Sequence, residues 1–149
     1  MNWDEYFLKI VDVIKLKSKD TSTKVGCIIV GPNNEIISTG FNGLPRGVLE
    51  EPHRIERPTK YLYTEHAERN AIYLAARRGV CIEGASIYLQ WFPCADCARA
   101  IIQSGIKNVI IDKNCYDPKS PTTADKRWKD SFDASLIMLN EANIKILII

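Results

Sequence analysis

No run of apolar residues in this sequence approaches the roughly 18 that a membrane-spanning helix needs, so no membrane partner is expected. There is no internal repeat, no low-complexity tract and no Ser/Gly linker, which excludes solenoids and tethered modules. Neither sign of charge dominates. Lys plus Arg number 20 and Asp plus Glu number 18, a net charge of +2. That balance does not suggest a protein that wraps nucleic acid or coats a membrane, and no nucleic-acid partner is expected. The opening MNWDEYF is not a signal peptide, so a cytoplasmic, reducing setting is expected. Histidine is scarce, with only His53 and His66. What remains is ordinary globular composition: 149 residues, 46% hydrophobic and 26% charged. That length suits one domain over residues 1–149, able to bury a core without disulfides. Against this background five cysteines, an odd number, suggest metal or catalytic use of some of them.

Periodicity predicts a helix over 3–17, capped by Asn2 with Glu5 completing a capping box. Val25–Val30 and Glu35–Thr39 read as a hairpin around Gly31-Pro32-Asn33-Asn34. Residues 40–65 read as a long loop, and loops that long in compact domains tend to be functional. Helices follow over 66–78, 94–104 and 124–142, alternating with strands over 85–91, 107–112 and 143–149. The last strand is almost wholly apolar and is expected inside a covered sheet. This alternation predicts a mixed sheet with helices on both faces.

Two stretches carry the chemistry. His66-Ala67-Glu68 and Pro93-Cys94-Ala95-Asp96-Cys97 together spell H-x-E then P-C-x-x-C, each expected to open a helix. H-x-E alone is weak, since it arises by chance, and C-x-x-C alone is a moderate signal, since redox pairs share it. Jointly they form the signature of zinc deaminases that act on nucleobases. Cys94 and Cys97, three apart, can point two sulfurs the same way, and His66 can supply a third ligand. Two thiolates and an imidazole suit tetrahedral Zn²⁺ and leave a fourth position open, as catalytic sites do. The positive ends of the two helices favour thiolates. Glu68 is the candidate proton shuttle, taking a proton from the attacking water and passing it to the ring and the departing amine. Cys27 reads as core packing, Cys81 and Cys115 as loop cysteines, and His53 as an exposed loop residue. Trp3, Tyr6 and Phe7 read as packing of the first helix, and Lys126–Lys129 as a small basic and aromatic patch, either a solvated helix face, a subunit contact or a phosphate contact.

At these residues the chain resembles the deoxycytidylate (dCMP) deaminase family of the cytidine deaminase superfamily. The likeness includes Trp3-Asp4-Glu5-Tyr6-Phe7, Ser18-Lys19-Asp20, Lys24-Val25-Gly26 and the loop Gly40-Phe41-Asn42-Gly43-Leu44-Pro45-Arg46-Gly47. It continues through His66–Ile72 and Phe92–Ile106, and covers essentially the whole chain. The resemblance implies a three-layer αβα sandwich around a central mixed five-stranded sheet. It makes His66, Cys94 and Cys97 ligands of one zinc ion per subunit, and Glu68 the catalytic acid/base. It implies hydrolysis of dCMP to dUMP for thymidylate synthesis, with dCTP to dUTP as a further activity. It also implies a homo-oligomer, often hexameric, with dCTP and dTTP as effectors and Mg²⁺ carried by the effector triphosphate. The alternatives are a deaminase of cytosine, guanine or tRNA adenosine, or an inactive zinc-stabilised binding module; Glu68 argues against the last.

The nucleotide contacts are then sought near Lys24, Asn42, Gly43, Arg46 and Asn70. Asn42 and Asn70 offer donor and acceptor together, and Lys24 and Arg46 can pair with phosphate. Each can equally be a turn or surface residue, and the glycines of this loop read as turn-formers. The segment Val48–Tyr63 holds no cysteine and only His53, so a second metal is not expected. Its charged run from Glu51 to Pro58 departs from the family pattern and puts effector response in question.

Overall fold

The computed structural model describes residues 1–149. Five strands form one sheet: β1 (Gly26–Val30), β2 (Ile36–Phe41), β3 (Ser86–Leu89), β4 (Asn108–Ile111) and β5 (Lys145–Ile148). Their order is β2-β1-β3-β4-β5. β1 runs antiparallel to β2 and β3, whereas β3, β4 and β5 are parallel. The sheet is therefore mixed, as the alternation of elements implied.

Side-chain alternation assigns the two faces. Ile28 and Val30 of β1, Tyr88 of β3 and Ile110 of β4 meet Phe7 and Val11 of helix α1 (Trp3–Ile14). Cys27, Ile29, Ile87, Leu89, Val109 and Ile111 point the other way into the larger core. That face is covered by α3 (Ala67–Arg78), α4 (Ala95–Gln103) and α6 (Lys129–Glu141). The expected helix–sheet–helix layering is present. Cys27 is fully buried in it, in line with a packing role.

Local signals explain most boundaries. The Asn2 amide oxygen accepts from the Glu5 N–H at 2.8 Å and the Glu5 carboxylate accepts from the Asn2 N–H at 3.1 Å, so the capping box is real. The helical hydrogen bonding of α1 tightens into a 3₁₀ turn over Lys15–Lys17. Gly79, in the left-handed region at φ 66°, ends α3.

Three expectations need correcting. The strand over 143–149 is not enclosed: β5 lies at the sheet edge, its residues half-buried or exposed. Its apolarity has another cause, since Ile146 and Ile148 lean on one core and Leu147 on the other. The helix expected over 124–142 is two, α5 (Thr123–Arg127) and α6, broken at Trp128. The long loop contains a one-turn helix, α2 (Lys60–Tyr63). Among the glycines of that region only Gly47 needs a positive φ, at 83°. Gly40 serves close approach instead: a Cβ there would lie 2.1 Å from the Ala67 carbonyl oxygen, at the start of α3.

Candidate active site

The first turns of α3 and α4 converge on one point. His66 is the N-cap of α3 and Cys94 the N-cap of α4, both with extended backbone and neither using its side chain as a cap. Their side chains are thus free to face each other. The sulfurs of Cys94 and Cys97 each lie 3.5 Å from His66 Nδ1. All three ligand atoms lie within 4.8 Å of one another. Bond lengths of about 2.3 Å to sulfur and 2.0–2.1 Å to nitrogen, at tetrahedral angles, put sulfur and nitrogen roughly 3.5 Å apart. The donor set fits zinc in both chemistry and spacing.

The electrostatics agree. The Cys94 thiol is pulled down to about 4, first by a hydrogen bond from Cys97 and then by His66, against the opposing effect of burial. Cys97 is pushed up as the donor of that pair, and burial adds to it. His66 is raised by its contact with Cys94, against an opposing effect of burial.

Glu68, in the first turn of α3, is 6% exposed. Burial pushes its carboxyl up, outweighing the nearby His66, which lowers it. A carboxyl that holds its proton more readily than usual suits a group that must both take and return one. His66 and Glu68 share a cavity of about 140 Å³ with Cys94. Its walls are apolar where Leu89, Phe92 and Phe132 meet it. The Trp128 ring approaches His66 edge-on, with centroids 6.0 Å apart. The break between α5 and α6 falls at this residue.

Two ties hold the ligand-bearing turns. Arg69 binds Glu65, the residue before His66, and reaches Asp96, between the two cysteines, at 3.6 Å. Cys27 Sγ contacts the Ala67 carbonyl at 3.1 Å from beneath.

Of the residues sought as nucleotide contacts, only Asn42 lines the cavity. Its amide is engaged on both sides: Oδ1 accepts from Val25 N–H at 2.8 Å and Nδ2 donates to the Thr23 carbonyl at 2.9 Å. Asn70 donates to the Phe41 carbonyl at 2.9 Å. Gly43 exchanges backbone hydrogen bonds with Glu65. Lys24 and Arg46 are exposed and, like Gly43 and Asn70, lie outside the cavity lining. The cavity instead recruits Arg57 and Lys60, which sequence reasoning missed, and Arg127 of the basic patch. Lys60 is buried against Asp20, with Nζ 2.8 Å from Oδ2, and also meets Ser22 Oγ at 2.8 Å. Arg57 and Arg127 are exposed and have no ion-pair partner. The charged run from Glu51 to Pro58 and the basic patch at Lys126–Lys129 were the available signals for them.

A mixed sheet whose two helix starts gather His66, Cys94 and Cys97 beside Glu68 at one cavity defines a zinc-dependent deaminase. Residues 1–113 match the model of the cytidine and deoxycytidylate deaminase zinc-binding region, and the chain belongs to that family. The deoxycytidylate deaminase of Mus musculus is 39% identical over 130 residues, covering 83% of this chain and 72% of that one. An uncharacterized deaminase of Aliivibrio fischeri is 38% identical over 144 residues, covering 97% and 91%. In fold, the chain is similar to the dCMP deaminase of cyanophage S-TIM5 in apo form, with a TM-score of 0.74 at 24% identity, covering 98% and 96%.

Proposed function

We propose that this chain hydrolyses dCMP to dUMP and ammonia. The observation that carries the reading is the placement of Glu68 beside the His66–Cys94–Cys97 cluster, inside a cavity flanked by two unpaired arginines. Relatives named deoxycytidylate deaminase support the choice of substrate.

The chain's own groups do the following. His66, Cys94 and Cys97 hold the metal. Bound there, Zn²⁺ supplies the Lewis acidity that makes a water nucleophile available at neutral pH. Glu68 takes a proton from the attacking water and delivers it to N3 of the pyrimidine as the oxygen adds to C4. It then carries the second proton to the departing amine, so water and dCMP become dUMP and ammonia. The walls formed by Leu89, Phe92 and Phe132 exclude bulk water from the ring. Arg57 and Arg127, which line the cavity, offer guanidinium groups to the 5′-phosphate, a better match to that anion than Lys24 and Arg46, which do not. The apolar floor and cationic rim together suit a nucleotide rather than a bare base.

The family reading extends to dCTP as a second substrate, to dCTP and dTTP as effectors with Mg²⁺, to a homo-oligomer and to a cytoplasmic setting. Ammonia release from dCMP, dCTP, deoxycytidine, cytosine and guanine tests the substrate. Turnover should be fastest on dCMP. Turnover of cytosine or guanine without turnover of dCMP would overturn the reading.

A further inference from the structure

The family match ends at residue 113, yet the ligand turn of α4 is held from beyond that point. The first N–H groups of any helix have no partner within it and need an acceptor. A Ser, Thr, Asp or Asn at the N-cap normally supplies one. In α4 the N-cap is Cys94, whose side chain is turned to His66 and makes no cap hydrogen bond. The acceptor comes from elsewhere in the chain: Ser131, in the first turn of α6, accepts from the Ala95 N–H through its Oγ at 2.8 Å. Ala95 is the residue directly after Cys94 and two before Cys97. The bond therefore fixes the peptide plane between the two cysteines, while leaving both sulfurs for the metal.

We propose that Ser131 is a positioning residue of the metal centre, a cap supplied by a second helix of the same chain that sets the spacing of Cys94 and Cys97. It rests on the reading of His66, Cys94 and Cys97 as zinc ligands. The same helix also brings Phe132 into the cavity wall, edge-on to Phe92 at 5.8 Å between centroids. So α6 reaches the site twice, once through the cap and once through the wall. Groups that orient metal ligands without touching the metal typically govern affinity by 10- to 100-fold.

Ser135, one turn further along α6, provides the internal control. It is fully buried, and its hydroxyl has no partner. Removing that hydroxyl alters α6 without touching the ligand turn.

The test is zinc affinity, measured by competition with a chromophoric chelator on the full chain, together with the visible absorption of the Co²⁺-substituted protein. Ser131→Ala should weaken zinc binding about tenfold or more and change the Co²⁺ bands that report tetrahedral sulfur and nitrogen ligation. Ser131→Thr, which keeps the hydroxyl, should restore both. Ser135→Ala should leave both unchanged. Hydrogen exchange on the unmutated protein adds a reading that needs no variant: the Ala95 amide should be protected, unlike a free first-turn amide. Zinc affinity of Ser131→Ala within twofold of the parent would overturn the proposal. So would an equal loss in Ser135→Ala, or an Ala95 amide that exchanges freely. If the unmutated protein binds no zinc, the ligand assignment itself falls, an outcome distinct from failure of the cap alone.

Discussion

Replacing Lys60 by methionine removes one half of an ion pair that is almost wholly out of water. The Lys60 and Asp20 side chains are 7% and 5% exposed. Asp20 Oδ2 has Lys60 as its partner, while Oδ1 accepts from Ser22 N, Ser22 Oγ and Thr23 N at 2.8–2.9 Å. Methionine matches the stem but leaves Oδ2 without its cation, so a buried carboxylate loses its neutralising charge. Breaking such a pair costs about 3–5 kcal/mol. The three hydrogen bonds retained by Oδ1 argue for the lower end, about 3 kcal/mol, or roughly 6–12 °C in Tm for a chain of this size. The pH dependence has a definite sign. Burial pushes the Asp20 carboxyl up, but the bonds from Lys60, Thr23 and Ser22 outweigh it and hold it below 3.8. A carboxyl depressed in the folded state adds stability above its unfolded pKa and loses it as pH falls through the folded value. In Lys60→Met only the Ser22 and Thr23 bonds still oppose burial, and the carboxyl rises. The penalty should be largest near neutrality and shrink as pH falls, because Asp20 can then fold protonated. Urea unfolding at several pH values measures this. A cost under about 1 kcal/mol at pH 7, or one that does not change with pH, would refute the reasoning.

Other perturbations address the site more directly. Arg57→Ala and Arg127→Ala should each raise KM for dCMP about tenfold, the loss of one charge-assisted contact, while leaving turnover of deoxycytidine unchanged. Gly40→Ala forces a Cβ against the Ala67 carbonyl. It should cost about 2 kcal/mol in urea unfolding and reduce zinc content, because the displaced segment carries His66 and Glu68. Cys94→Ser should lower zinc stoichiometry, read by elemental analysis; unchanged stoichiometry would remove Cys94 from the ligand set.

The His66–Cys94–Cys97 grouping was legible because two short motifs announce it, although they lie 28 positions apart. His66, Cys94 and Cys97 sit at the starts of two helices, where short spacings fix which way side chains point. The layering was legible for the same reason, since alternation and helical period are properties of neighbouring residues. What was not legible depends on long-range placement. Lys60 finds Asp20 across 40 positions, and nothing at either residue announces the pair. Arg57 and Arg127 look like ordinary charged surface until the fold brings them to one rim. Lys24 and Arg46 carry the right charge for a phosphate, yet the fold leaves both outside the cavity lining. Trp128 interrupts a segment whose composition reads as one helix, and at the break its ring lies edge-on to His66. The edge position of β5 escaped notice because an apolar run records contact with two cores, not whether a further strand lies beside it.

Glu68→Gln gives the most direct measurement of the central claim. Glutamine keeps the size and shape of the side chain but cannot take up the proton. Zinc content and dCMP turnover should be measured on the same preparation. The account predicts unchanged zinc with turnover lowered by about 10²- to 10⁴-fold, the usual worth of a positioned acid/base. A variant that holds zinc normally and deaminates dCMP at the parent rate would contradict it.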